Sequence, residues 1–205
     1  DAEPEGEHDA DPDVDPDGVG DGDDTPMPDA TDRRTVQRAQ QYDPYIREAA
    51  ARYGVREDHL RAIMAQESRA QNGLRAGGAQ SASGLMQVTG ETWRAMQRAH
   101  RELARYDFGS YWRDPHINIL FGAATLASKQ QNLVDAGVSR NDRHMAQLTV
   151  AAYNGGEGIV TDAIRRARAA GSRDPGADAL KPEFLRPAIA RYPQQPSGPD
   201  DSWWL

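Results

Sequence analysis

The chain has 205 residues, with 24 Lys and Arg against 32 Asp and Glu, a formal net charge of −8 and no cysteine. Lack of cysteine excludes a disulfide scaffold, a thiolate zinc site and a cysteine nucleophile. No stretch approaches the ~18 consecutive apolar residues of a membrane helix, and the chain opens at Asp1 without a charged-then-apolar leader, so a mature form or a segment of a larger protein is expected.

The charge is unevenly placed. Residues 1–32 hold fourteen acids and no Lys or Arg, a formal −14, while residues 33–205 hold the other eighteen acids and all 24 bases, a formal +6. The acidic part is rich in Pro, Gly and Asp and offers only Val14, Val19 and Met27 as large apolar residues. Such a segment cannot offset its ordering entropy, so residues 1–32 are expected to be a disordered arm or linker. Within it, Asp13, Asp15, Asp17, Gly18, Asp21 and Asp24 have the spacing of a calcium loop. Position 12 is Asp rather than Glu, Pro16 stiffens the loop and no apolar helix flanks it, so a solvated acidic linker is the favoured reading. The basic remainder suits either an anionic polymer partner (nucleic acid, cell wall, membrane surface) or a plain solvated surface.

From residue 33 the pattern is helical. Asp43-Pro44 reads as N-cap and first-turn proline, Ile46, Ala49, Ala50 and Tyr53 form a stripe, and Gly54 ends the helix. A second helix runs from Glu57 or Asp58 through Leu60, Ile63 and Met64 to Glu67, followed by a Gly/Asn/Ser-rich loop over 71–84. A third covers 91–105 with Trp93 and Met96 facing inward. Asp114-Pro115 opens a long helix through Ile117, Leu120, Phe121, Ala124 and Leu133 to Gly137. Helices over 142–153 and 158–170 follow, separated by Asn154-Gly155-Gly156. No period-2 run supports a strand. The expected layout is a mainly α domain over 33–192 with a Pro-rich tail over 193–205.

Glu67 is i+7 from Leu60, on the buried stripe at the C-terminal end of its helix. Desolvation and the negative helix end both disfavour its ionisation, which is what a general acid at neutral pH requires. The competing reading is a rim glutamate that reaches water, with Arg69 as neutralising partner. In Ser83-Gly84-Leu85-Met86-Gln87-Val88, Gly84 permits close backbone approach, and Met86 and Gln87 combine soft apolar surface with an amide able to hold a hydroxyl or acetamido group. Ala151-Ala152-Tyr153-Asn154-Gly155-Gly156 sets a phenol and an amide at a helix end. Each taken singly is also an ordinary turn or helix cap.

In this order, Glu67-Ser68, Gly84-Leu85-Met86-Gln87, Thr92, Asn118 and Ala152-Tyr153-Asn154-Gly155-Gly156 resemble the lytic transglycosylases with a soluble-lytic-transglycosylase (goose-lysozyme-like) catalytic domain, over about residues 42–170. Departures are Ala70 where an aromatic is usual and Gly90 where a proline is usual. The resemblance implies a lysozyme-like helical fold with a sugar-binding cleft. It implies cleavage of the MurNAc-β-1,4-GlcNAc bond of peptidoglycan with a 1,6-anhydro-muramyl end, Glu67 acting as acid and then base. Ser83, Met86, Gln87, Tyr153 and Asn154 would bind substrate, with Ser68, Ser83 and Asn118 also fitting structural roles.

A true lysozyme would need a second carboxylate, for which Asp107, Asp114, Glu91 and Glu157 are available. A third reading is an inactive wall-binding or scaffold module of a virion or secretion assembly, docking through the acidic arm or Trp203-Trp204-Leu205. His8, His59, His100, His116 and His144 show no ligand spacing, and no Gly-rich phosphate loop or nucleic-acid motif occurs, so no metal, cofactor or nucleic acid is expected. A peptidoglycan substrate implies action in the periplasm, outside the cell or from a virus particle.

Overall fold

The structure is a computed structural model that describes residues 30–76 and 81–192. The proposed acidic arm, its calcium-loop spacing and the Pro-rich tail with its two tryptophans lie outside the described residues, apart from the last residues of the arm. These begin α1 (Ala30–Gln40). There follow α2 (Asp43–Tyr53), α3 (Glu57–Ser68), α4 (Gly90–Ala99), α5 (Phe108–Tyr111), α6 (Pro115–Asp135), α7 (Met145–Gly155), α8 (Glu157–Ala169), α9 (Pro175–Ala179) and α10 (Pro182–Arg191). Among the described residues there is no strand beyond isolated bridges, as the missing period-2 pattern implies.

The middle helix organises the rest. Every residue of α6 from Ile117 to Leu126 is buried, as befits a helix that is apolar on all sides. Asp114 caps it by accepting from the Ile117 amide at 3.0 Å, and Pro115 starts it. It packs against α2, α4 and α7. Trp93 of α4 stacks on Phe121 with ring centroids 3.6 Å apart and donates from its indole to Tyr106 O at 2.7 Å, so its large apolar area is buried without stranding the N–H. A second apolar cluster gathers Leu133, Leu148, Ile159, Val160, Ile164 and Leu185 from α6, α7, α8 and α10. The first cluster, around Ile46, Leu60, Ile63, Met64, Leu85 and Met86, carries α3 and the loop beyond it.

Four details differ from the sequence expectation. Asp43 is the first helical residue of α2 and not its cap, because its carboxylate accepts from Arg61 of α3 at 2.9–3.0 Å. The helix expected over 91–105 breaks at His100, whose backbone is extended, and resumes as a 3₁₀ turn over Arg101–Leu103. The helix expected over 142–153 begins at Met145 and runs on to Gly155. The helices α1, α5, α9 and α10 were not anticipated. α1 has a direct bearing on the site, since Arg38 donates twice to Arg69 O, at 2.9 and 2.8 Å, and braces the end of α3.

Candidate active site

Glu67 sits in the last turn of α3. The helix stops one residue later because Arg69 and then Ala70 adopt left-handed backbone, at φ 50° and 53°. Ala70 is 1% exposed, so the position where an aromatic was expected is closed. Glu67 itself is half-buried. No hydrogen bond or ion pair reaches its carboxylate among the described residues, and Arg69 does not neutralise it. Burial alone pushes its pKa up to about 7.

Beyond α3 the chain forms a four-residue turn. Ser83 and Val88 exchange backbone hydrogen bonds at 3.2 Å, closing Gly84–Gln87 between them. Gly84 has φ 78°, and a Cβ there would lie 2.6 Å from Trp112 O and 2.3 Å from Asn118 Nδ2, so both the dihedral and the close approach require glycine. Asn118 clamps the turn from α6. Its Oδ1 accepts from Met86 N at 2.8 Å, while its Nδ2 donates to Ser83 O at 3.0 Å and Trp112 O at 3.1 Å. An amide alone in the apolar run Ile117–Phe121 was the signal in the sequence for such a clamp.

Tyr153 of α7 completes the enclosure. Its hydroxyl donates to Met86 O at 2.8 Å, and the burial of the phenol, then the neighbouring charge of Glu67, hold its pKa well above the usual value. With its proton committed to Met86 O, the phenol does not donate to the carboxylate. Nothing in this corner therefore stabilises the Glu67 anion.

The other expected site residues divide. Gln87 is half-buried at φ 44°, and its amide donates to Gly84 O at 2.8 Å and Leu74 O at 3.1 Å, which leaves Oε1 as an acceptor without a partner among the described residues. Asn154 lies beside Tyr153, and its buried Oδ1 has no donor among the described residues. Ser83 and Met86 differ from the expectation of direct sugar contact. Both are 0% exposed. Ser83 donates its hydroxyl to Ser81 O at 3.0 Å. Met86 is folded against Gly122, where a Cβ would come within 2.5 Å of its Cγ. Both form the floor beneath the site.

Three of the four carboxylates eligible as a second catalytic group have other work. Asp107 caps α5 through Ser110 N, Asp114 caps α6, and Glu157 accepts from Asn132 at 2.7 Å. Glu91 is exposed in the first turn of α4. Among the described residues no group of histidines and acids could hold a metal ion, and no helix is long and apolar enough to cross a membrane.

The family model of the transglycosylase SLT domain matches residues 44–174, and the chain belongs to that family. It is 38% identical over 124 residues to the membrane-bound lytic murein transglycosylase C of Serratia proteamaculans (strain 568), a match covering 60% of this chain and 34% of that protein. The proteins of the same name from Yersinia pestis (strain Pestoides F) and Yersinia pseudotuberculosis serotype O:1b (strain IP 31758) are 36% identical over 124 residues, with the same coverage of 60% and 34%. The chain thus spans about a third of the length of these curated relatives.

Proposed function

We propose that the chain is a peptidoglycan lytic transglycosylase with Glu67 as its catalytic residue. The observation that carries the reading is the placement of the Glu67 carboxyl, half-buried in the last turn of α3 with no counter-ion among the described residues, where burial pushes its pKa up to about 7. Protonated, it gives its proton to the glycosidic oxygen between N-acetylmuramic acid and N-acetylglucosamine as the bond to the anomeric carbon breaks. The resulting carboxylate takes the proton of the muramyl 6-hydroxyl, whose oxygen closes on the same carbon. One bond breaks, one forms, the proton returns to Glu67 and a 1,6-anhydro end results. An internal hydroxyl has a high effective concentration, so no second carboxylate is needed to activate water. The structural employment of Asp107, Asp114 and Glu157 favours this over a hydrolysing lysozyme.

Tyr153 keeps the turn carrying Met86 in register with the acid, and Gln87 Oε1 offers an acceptor to a sugar hydroxyl or acetamido N–H. The relatives are named as membrane-bound murein enzymes, and murein lies beyond the cytoplasmic membrane, so this domain acts on the periplasmic side. Mass spectrometry of muropeptides released from purified sacculi tests the reading. Wild type is expected to release anhydro-muramyl products and Glu67→Gln none. Reducing ends in their place would identify a hydrolase, and no release by wild type would leave a binding module.

A further inference from the structure

Two features of the chain have no part in the proposed catalysis. The first is in the sequence. Every odd-numbered residue from Asp1 to Asp17 is Asp or Glu, and no even-numbered one is. Pro4, Pro12 and Pro16 fall at even positions, where they oppose a helix and leave this register intact. An extended segment with a period of two presents all its carboxylates on one side, about 7 Å apart.

The second is in the fold. At the C-terminal end of α6, two clefts flank the loop over 136–140. One, of about 470 Å³, is lined by Arg56 ahead of α3 and by Arg140 and Arg143 ahead of α7. The other, of about 500 Å³, is lined by Arg165 and Arg168 of α8 and Arg191 of α10. Arg168 donates to Ala136 O and, at 2.6 Å, to Gly137 O, while Arg140 donates to Gln131 Oε1 at 2.6 Å. The loop therefore joins the clefts into one arginine-rich face at the other end of α3 from Glu67.

Each cleft sets one aspartate against three arginines, and both aspartates are engaged. Asp142 accepts from His144 N at 2.8 Å, and the Asp162 carboxylate is shared by Arg165, Arg166 and Arg191. Arg56 and Arg143 pair with Asp58 and Asp174. The side chains of Arg56, Arg143, Arg165 and Arg191 nevertheless stay 58% to 78% exposed, and a guanidinium has more N–H donors than one carboxylate occupies. His144, the N-cap of α7, gives that helix no side-chain bond, so the positive helix end adds to the first cleft.

We infer that this face is the seat of the acidic segment 1–17 of the same chain, bound extended with its carboxylates toward the arginines. Guanidinium and carboxylate match as forked donor and acceptor. Asp17 to Ala30 is thirteen residues, about 43 Å when extended. The route from Ala30 to Arg56 follows α1 and, through the contact of Arg38 with Arg69 O, α3; the two helices together are about 35 Å long. The tether is therefore long enough, and it holds the segment at a high effective concentration. The inference does not depend on the glycan-cleaving reading.

The test is zero-length cross-linking of the full chain with a water-soluble carbodiimide, which joins an amine to a carboxylate in contact with it. Arg140→Lys puts an amine in the face. Arg113→Lys puts one at an exposed position ahead of the other end of α6, about 32 Å away. Mass spectrometry of the digested products is expected to link position 140 to residues 1–17 about tenfold more than position 113. In about 1 M salt, where the screening length is about 3 Å, the difference is expected to vanish. Equal yields at the two positions in low salt, or no link from position 140 to residues 1–17, overturn the inference. Links formed equally within and between nitrogen-15-labelled and unlabelled chains in a mixture would assign the face to a second copy and overturn it too. Should Arg140→Lys lower the unfolding midpoint, Arg143→Lys decides by the same readout.

Discussion

Glu67 and Asp162 are both acids withdrawn from water, and the chain treats them in opposite ways. Asp162, on α8, has a side chain 3% exposed and accepts from Arg165, from Arg166 at 2.7 Å and from Arg191 of α10 at 3.1 Å. Its burial pushes the pKa up, but the hydrogen bonds from Arg166 and Arg165 outweigh that and the net direction is down. It is a permanently charged joint between α8 and α10. Glu67 is less deeply placed yet receives no donor among the described residues, and its pKa rises to about 7. Burial alone thus does not decide protonation; the partners supplied do, and an acid left without them is available for proton transfer.

The largest expected effect is at Glu67. Glu67→Gln is expected to lower turnover of sacculi by roughly 10³-fold or more, in the range for removal of a general acid, with the far-ultraviolet dichroism unchanged. Next is the clamp behind the site. Asn118→Ala leaves Met86 N, Ser83 O and Trp112 O without their partner, and urea unfolding should show a loss of about 3 kcal/mol. Asp162→Asn removes the charge from three arginines that are themselves partly in water. A loss of about 2 kcal/mol is expected, with turnover per folded molecule unchanged; a fall in turnover would contradict its structural assignment.

The smaller effects sharpen the contrast. Because the folded pKa of Glu67 lies near 7 and the ordinary value is 4.5, the folded state holds this proton more tightly than the unfolded one. Its contribution is full below about pH 4.5, is lost as pH rises through about 7, and stays lost above. Glu67→Gln escapes that loss. It should equal wild type in urea unfolding at pH 4 and exceed it by about 2 kcal/mol at pH 8, less than the full shift implies because the carboxyl is partly wet. Turnover by wild type should likewise decline on the alkaline side with a midpoint near pH 7. Tyr153→Phe deletes one hydrogen bond, to Met86 O, and should cost about 1 kcal/mol in the same assay.

Local chemistry made part of this legible in the sequence. Asp114-Pro115 and the apolar run behind it define α6, Gly54 ends α2 at φ 66°, and Glu67 falls on the Leu60 stripe. What escaped depended on distant partners. Asp43 looks like a cap until Arg61, eighteen residues on, claims its carboxylate. Met86 looks like a cleft residue until Gly122 leaves room to bury it. α10 carries Pro187 inside it and is held by packing on α8 rather than by its own propensity. Spacing left Glu67 open between a raised acid and a rim glutamate, and the lack of a donor to it among the described residues is a property of the assembled fold.

Carbon-13 NMR titration of the Glu67 side-chain carboxyl, assigned by its disappearance in Glu67→Gln, reads the protonation of this side chain directly. A midpoint near pH 7 is the expected result; a midpoint near 4.5 would mean that the carboxyl is an ordinary solvated glutamate and would contradict its role as the acid.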